Sequence, residues 1–253
     1  MIFFLLIFFV LGSAVGSFLN VVIDRSIRNE TIFGRSYCDW CKQHLSSLDL
    51  VPILSFLVLG GRCRYCHRRL SYQYPVVETV VGALFAFAAW QIQTTFSTVT
   101  LAYHLFLISI LAIVTVVDLK YSLIPTAFVF AASLVALFYN YFFLPSNVFI
   151  DHVFAAFGAV LFFGSIVLLT RGRGMGTGDI ILGFLIGMVL GAKAAILAIF
   201  TAFLVGAIVS LVLVAVGKKH FGQTVPFGPF LILGLLIGFY FSERIIDWYL
   251  MLY

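Results

Sequence analysis

"RGRGMGTGDIILGFLIGMVLGAKAAILAIF", residues 171–200, carries the reading of the fold. Two arginines and four alternating glycines end at Asp179, and unbroken apolar sequence comes next. The first apolar run stops near residue 192, where Gly191–Lys193 reads as a turn, and a second fills 194–217. Runs of this kind continue along the whole chain. Of its 253 residues 63% are hydrophobic and only 10% charged, with 29 phenylalanines, outside the usage of a soluble domain.

A hydrocarbon core of roughly 30 Å needs about 20 apolar residues per helical span. About eight candidates are present, at 2–23, 75–92, 97–117, 124–143, 150–170, 179–192, 194–217 and 224–241. The sixth is short, and joining it to the seventh would leave seven. Transmembrane β-strands would alternate polar and apolar residues, and no such pattern is found. The expected class is therefore an all-α polytopic membrane protein. Its parts are a first helix (1–23), a polar loop (24–74) and a helical bundle (75–253). The first span lacks a basic start and a persuasive cleavage site, so it reads as a permanent helix.

Charge sets the expected orientation. Eight of the fifteen Lys and Arg residues lie between Asp24 and Ser71, and threading eight spans puts Lys120, Arg171, Arg173, Lys218 and Lys219 on the same side. Lys193 and Arg244 fall opposite. The positive-inside rule makes the large loop cytoplasmic and both termini external. The net charge of +5 then reflects topology and contact with anionic membrane lipid, with no nucleic-acid partner implied.

All four cysteines lie in that loop, as Cys38 and Cys41 in "CDWC" and Cys63 and Cys66 in "CRYC", with 21 residues between the pairs. Two C-x-x-C knuckles so spaced suit one tetrahedral zinc ion. The competing reading, disulfides, fits poorly with a reducing cytoplasm. Four thiolates leave no open position, so the expected zinc is structural. Between the knuckles, "LVPILSFLVLG" (50–60) is too short to span, and packs on the loop or lies at the interface. No internal repeat is apparent.

Acidic residues inside spans are costly and need a reason. Asp118 closes the third span and Asp179 opens the sixth, and the threading brings both to the cytoplasmic boundary. Glycines ahead of Asp179, Gly176 and Gly178 among them, let a second backbone approach closely, or serve only for tight helix packing. Asp118 at a helix C-terminus meets the negative end of a dipole and Asp179 at an N-terminus the positive end. The expectation is a pair sharing one proton, held mainly on Asp118, able to activate water and protonate a leaving amine. No H-E-x-x-H occurs, which disfavours a zinc metalloprotease. A proton- or cation-coupled transporter is the alternative, although both acids lie at one face and no inverted repeat is evident.

These features occur in a recognisable order: "GSFLNVVI" (16–23), the cysteine pairs with "GGRCRYC" (60–66), "YPVVE" (74–78), "DLKYSLIP" (118–125), "GMGTGDIIL" (174–182) and "VPFGPFL" (225–231). Over nearly its whole length the sequence resembles the prepilin peptidases, or type IV leader peptidases, of which the competence-type enzymes of Gram-positive bacteria are one branch. The resemblance implies an aspartic endopeptidase of the bacterial cytoplasmic membrane with Asp118 and Asp179 as the catalytic pair. It would cut the basic leader from prepilins or pseudopilins at the cytoplasmic face. It also implies methylation of the new N-terminus with S-adenosylmethionine, associated with the cysteine loop and Gly61. Glu78 would pair with a loop arginine or contact the leader. Two positions depart from the family pattern: Ile181 stands where lysine is common, and Thr126 where aspartate is usual.

Overall fold

The structure is a computed structural model and describes residues 2–28, 30–92, 97–172, 174–217 and 225–251, the side chain of Leu250 excepted. Arg173, Lys218, Lys219 and His220 lie outside the described residues, as does the start of the eighth expected span at residue 224. Among the described residues eight α-helices occur in order: α1 (Ile2–Ile27), α2 (Leu54–Val58), α3 (Gln73–Ile92), α4 (Thr98–Tyr121), α5 (Thr126–Phe143), α6 (Ser146–Leu169), α7 (Thr177–Ala215) and α8 (Gly228–Leu250). A 3₁₀ turn at Ser47–Leu50 precedes α2. All but α2 are long and apolar enough to cross a membrane, seven among the described residues.

The chain forms two compact units, Met1–Ile113 and Val114–Tyr253, with α4 running from the first into the second. In the first unit α1 and α3 pack antiparallel. Gly12 and Gly16, one turn apart on α1, let the backbones nearly touch: a Cβ at Gly12 would lie 2.8 Å from the Gly82 Cα, and one at Gly16 2.9 Å from the Glu78 Cα. In lipid, where apolar contact alone drives nothing, such small-residue stripes are how helices associate. At its far end this pair meets α4 through Ala89, Ile92 and Leu101, with Phe4, Phe8 and Leu105 beside them.

The second unit is organised by α7. Its 39 residues form two arms, because Gly191 has φ 71° and ψ 175°, outside the helical region and open essentially to glycine alone. A Cβ at Gly183 in the first arm would strike the Phe163 ring at 2.4 Å. The same ring stacks on Phe203 of the second arm, 6.4 Å between centroids. Residues 183 and 203 therefore lie at one level on either side of residue 191, and the chain reverses there. The sixth and seventh expected spans are these two arms, which reconciles eight apolar segments with seven helices.

Breaking a helix orphans backbone groups that hydrocarbon cannot satisfy. Here the Met188 carbonyl accepts from the Asn140 amide at 2.6 Å and lies 2.9 Å from His152 Nδ1, while the Ala192 N–H donates to Asp151 at 2.9 Å. Asp151 and His152 thus brace the reversal. The eighth span is longer than expected: α8 continues through Glu243, Arg244 and Asp247 to Leu250. Charged residues end the apolar run but do not forbid a helix that emerges into water. If the brace holds the turn, Asn140→Ala lowers stability by about 1–3 kcal/mol, seen in detergent as a fall of several degrees in thermal midpoint. Asn147→Ala on exposed α6 surface leaves it unchanged, and equal effects would contradict the assignment.

Candidate functional site

Asp118 occupies the last turn of α4 and Asp179 the first turn of α7, both in the second unit. Neither is a solvated helix end, since Asp118 is 4% and Asp179 7% exposed. Each carboxylate holds one backbone amide. Asp179 Oδ2 accepts from the Gly176 N–H at 3.1 Å, an N3 side chain reaching back to the N-cap. Asp118 Oδ2 accepts from the Gly228 N–H at 2.9 Å, across 110 residues. The two acids are near enough for the charge of Asp118 to act on Asp179. One oxygen of each remains outside these two bonds.

One expectation changes at this point. Gly228 opens α8, so Asp118 meets the positive end of that helix as well as the negative end of its own. The asymmetry argued from helix ends therefore loses its basis. Of the two readings of the glycines, Gly178 fits close packing: a Cβ there would lie 2.8 Å from the Ile124 Cβ. That contact seats the start of α7 against the α4–α5 connection. Gly228 is the residue that sequence reasoning passed over. Its signal lay in "FGP" (227–229), where proline at the next position has no N–H and leaves the glycine amide as the donor at the helix start.

In the first unit the four cysteines come together. Their sulfurs all lie within 4.8 Å of one another, with Cys38 Sγ to Cys66 Sγ at 3.8 Å. Metal–sulfur bonds of about 2.3 Å at tetrahedral angles put sulfurs about 3.8 Å apart. The cluster therefore has the dimensions to hold one metal ion. No disulfide joins these residues. Burial pushes the Cys38 thiol up to about 11. Burial also acts to raise Cys63, but hydrogen bonds from the Cys66 and Tyr65 amides and from neighbouring sulfurs outweigh it and bring that thiol down to about 7.

Each knuckle sits in a small loop closed the same way. Tyr37 bridges His44 and Arg62 bridges Arg69. Cys38 N–H donates to Gln43 and Cys63 N–H to Arg68, while Lys42 and His67 donate back to the two cysteines. Lys42 and His67 share a left-handed φ of 57° and 56°. The halves are a ten-residue repeat, where none was expected: "SYCDWCKQHL" (36–45) and "GRCRYCHRRL" (61–70), with cysteine, aromatic, cysteine and leucine in register. The Arg68 guanidinium over the Trp40 ring, 4.5 Å from its centroid, joins them.

Glu78 is 7% exposed and accepts the Ile53 N–H at 2.7 Å, so its partner is a loop amide and not a loop arginine. Gly61 has φ +68°, and a Cβ there would meet the Phe56 ring at 2.9 Å, which explains its need for glycine without invoking chemistry. Beside the knuckles a cavity of about 460 Å³ is lined by Asn20, Asp24, Arg28, Trp40, Tyr74 and Glu78, among others. Tyr74 donates to Asp24 at 2.9 Å, and Arg28 grips both oxygens of Asp39.

Comparison with known proteins gives this arrangement its context. Residues 10–92 match the bacterial peptidase A24 N-terminal domain, and residues 105–211 match the type IV leader peptidase family. A prepilin leader peptidase/N-methyltransferase of Bacillus subtilis is 32% identical, the alignment covering 96% of this chain and 97% of that one. Proteins of the same name from Legionella pneumophila and Neisseria gonorrhoeae are each 30% identical, covering 94% and 95% of this chain and 91% and 93% of theirs. No solved structure matches the chain. Matched from its first helix into its last, this multi-pass membrane chain belongs to the type IV leader peptidase family of prepilin leader peptidase/N-methyltransferases.

Proposed function

We propose that Asp118 and Asp179 are the catalytic pair of an aspartic endopeptidase that removes the basic leader of prepilin-like precursors at the cytoplasmic membrane face. What carries this reading is the burial of two carboxylates at the start of α7 and the end of α4, each fixed by a glycine amide, in a family named for leader cleavage. Of a pair sharing one proton, the ionised member takes a proton from water as the oxygen attacks the scissile carbonyl, and the protonated member donates to that carbonyl oxygen. Collapse of the tetrahedral adduct then breaks the C–N bond, and a carboxyl proton passes to the departing amine.

The first arm of α7, residues 177–190, fits this chemistry by its length. Fourteen residues rise about 21 Å, roughly two thirds of a hydrocarbon core. With its outer end at the polar turn of Asp151, His152 and Lys193, the arm stops short of the opposite surface. Asp179 is then recessed to the depth where a short charged leader meets an apolar segment. Substrate would approach from the side that the positive-inside rule assigns to the loop.

The name of the relatives also points to methyl transfer, for which S-adenosylmethionine would supply the methyl group. The cavity beside the knuckles has a volume suited to a ligand of that size. Asn20, Asp24 and Trp40 would hold it, the carboxylate facing its cationic or hydroxyl groups and the indole its base. Zinc held by Cys38, Cys41, Cys63 and Cys66 would order the loop and take no part in either reaction.

Two experiments test this reading. With a purified prepilin-like substrate, Asp118→Asn and Asp179→Asn each lower cleavage by at least about 10²-fold without moving the thermal midpoint; retained cleavage, or proton flux in its place, contradicts the peptidase. Second, metal analysis of the purified chain finds one zinc per molecule. Cys38→Ser loses that zinc and exposes the six basic residues from Arg35 to Arg69 to trypsin, raising loop cleavage about tenfold. An unchanged metal content or trypsin pattern would remove the structural role.

A further inference from the structure

We infer that the segment around α2 is an interfacial anchor that holds an anionic phospholipid between Arg62 and Arg69. Glu78 sets the depth of this segment. It lies five residues into α3, about 7 Å along its axis, and its carboxylate takes the Ile53 N–H at 2.7 Å. A spanning helix thus pins the first residue before α2 near the level at which the chain enters the bilayer. Ile53 adopts φ 63°, unusual for a β-branched side chain, to make that bond.

Beyond Ile53 the chain is apolar and uncovered. Leu54, Leu57 and Val58 are 61%, 67% and 84% exposed. In water such a patch has no explanation, whereas at the edge of the hydrocarbon it is expected. Tyr72, just before α3, is 78% exposed at the position where interfacial aromatics gather. Its ring lies 5.6 Å from that of Phe56.

The polar half of the site is cationic. The Arg62–Arg69 bridge puts these two exposed side chains next to each other. Arg28 pairs with Asp39 and Arg64 with Asp49, whereas among the described residues neither Arg62 nor Arg69 meets a carboxylate. Two adjacent, unneutralised guanidiniums form the pattern that takes a phosphate group. Both line a hollow of about 310 Å³ with Phe56, Leu57, Gly61 and Tyr72. Phosphate on the arginines would leave acyl chains to run along Leu57 and Val58, which matches an anionic lipid. A basic leader peptide would be repelled by the same pair. This assignment is independent of the peptidase reading.

The full chain in nanodiscs of phosphatidylcholine and phosphatidylglycerol tests it. Native mass spectrometry should show retained phosphatidylglycerol in preference to phosphatidylcholine. Arg62→Gln with Arg69→Gln should weaken that preference roughly 30-fold, as expected of two surface arginines. Millimolar inorganic phosphate should leave the lipid in place. A benzophenone at the position of Leu57, with both arginines intact, should form adducts with phospholipid. Unchanged lipid preference in the double variant, displacement by free phosphate, or adducts confined to protein would each overturn the inference.

Discussion

The hydrogen bond from the Gly228 amide to Asp118 is the constraint on which the second unit turns. A carboxylate at the end of α4 is at the unfavourable end of that helix, and burial removes the water that would otherwise solvate it. The start of α8 supplies both an N–H and the positive end of a helix. In doing so it fixes the approach of two elements more than a hundred residues apart. The fit is close, because a Cβ at Gly228 would fall 2.5 Å from Asp118 Oδ2. Glycine is required there by proximity to the acid.

The same rule, that a polar group away from water must be given a partner by the fold, explains the rest of the membrane architecture. At the Gly191 reversal the broken backbone is met by Asn140, His152 and Asp151. At the start of α7 the free amide of Gly176 is met by Asp179 itself. In the first unit Asn20 donates to the Tyr74 carbonyl at 3.3 Å and accepts from Gln73, and Glu78 takes the Ile53 amide. Buried acids and amides are thus distributed by backbone need, and Asp118 and Asp179 are the two that come together.

Much of this could be read directly from residue order. Apolar runs located the spans, and the paired cysteines announced a single cluster. Counting spans brought Asp118 and Asp179 to one end of the bundle. The parts that escaped depend on distance between residues remote in sequence. Gly228 had no meaning until α8 was placed against α4, and Gly12 and Gly16 none until α3 lay on α1. Glu78 was assigned a loop arginine or the basic leader because charge is visible in a sequence, whereas a free backbone amide is not. The knuckle repeat was present in the letters, hidden because most of the residues around its cysteines differ between the halves, Asp39 against Arg64 among them. The overrun of α8 past residue 241 reflects a rule that finds the end of an apolar run but not the end of a helix.

Under the proposed function the two buried aspartates act as one titrating unit on a peptide bond. The pH dependence of kcat/KM for cleavage of a prepilin-like substrate in nanodiscs measures it most directly. A bell-shaped profile is predicted, with both limbs belonging to the pair and one proton between them at the optimum. A rate that stays flat across the acid range, or one with a single limb unchanged when Glu78 is replaced by glutamine and Asp118 by asparagine alike, would contradict the account.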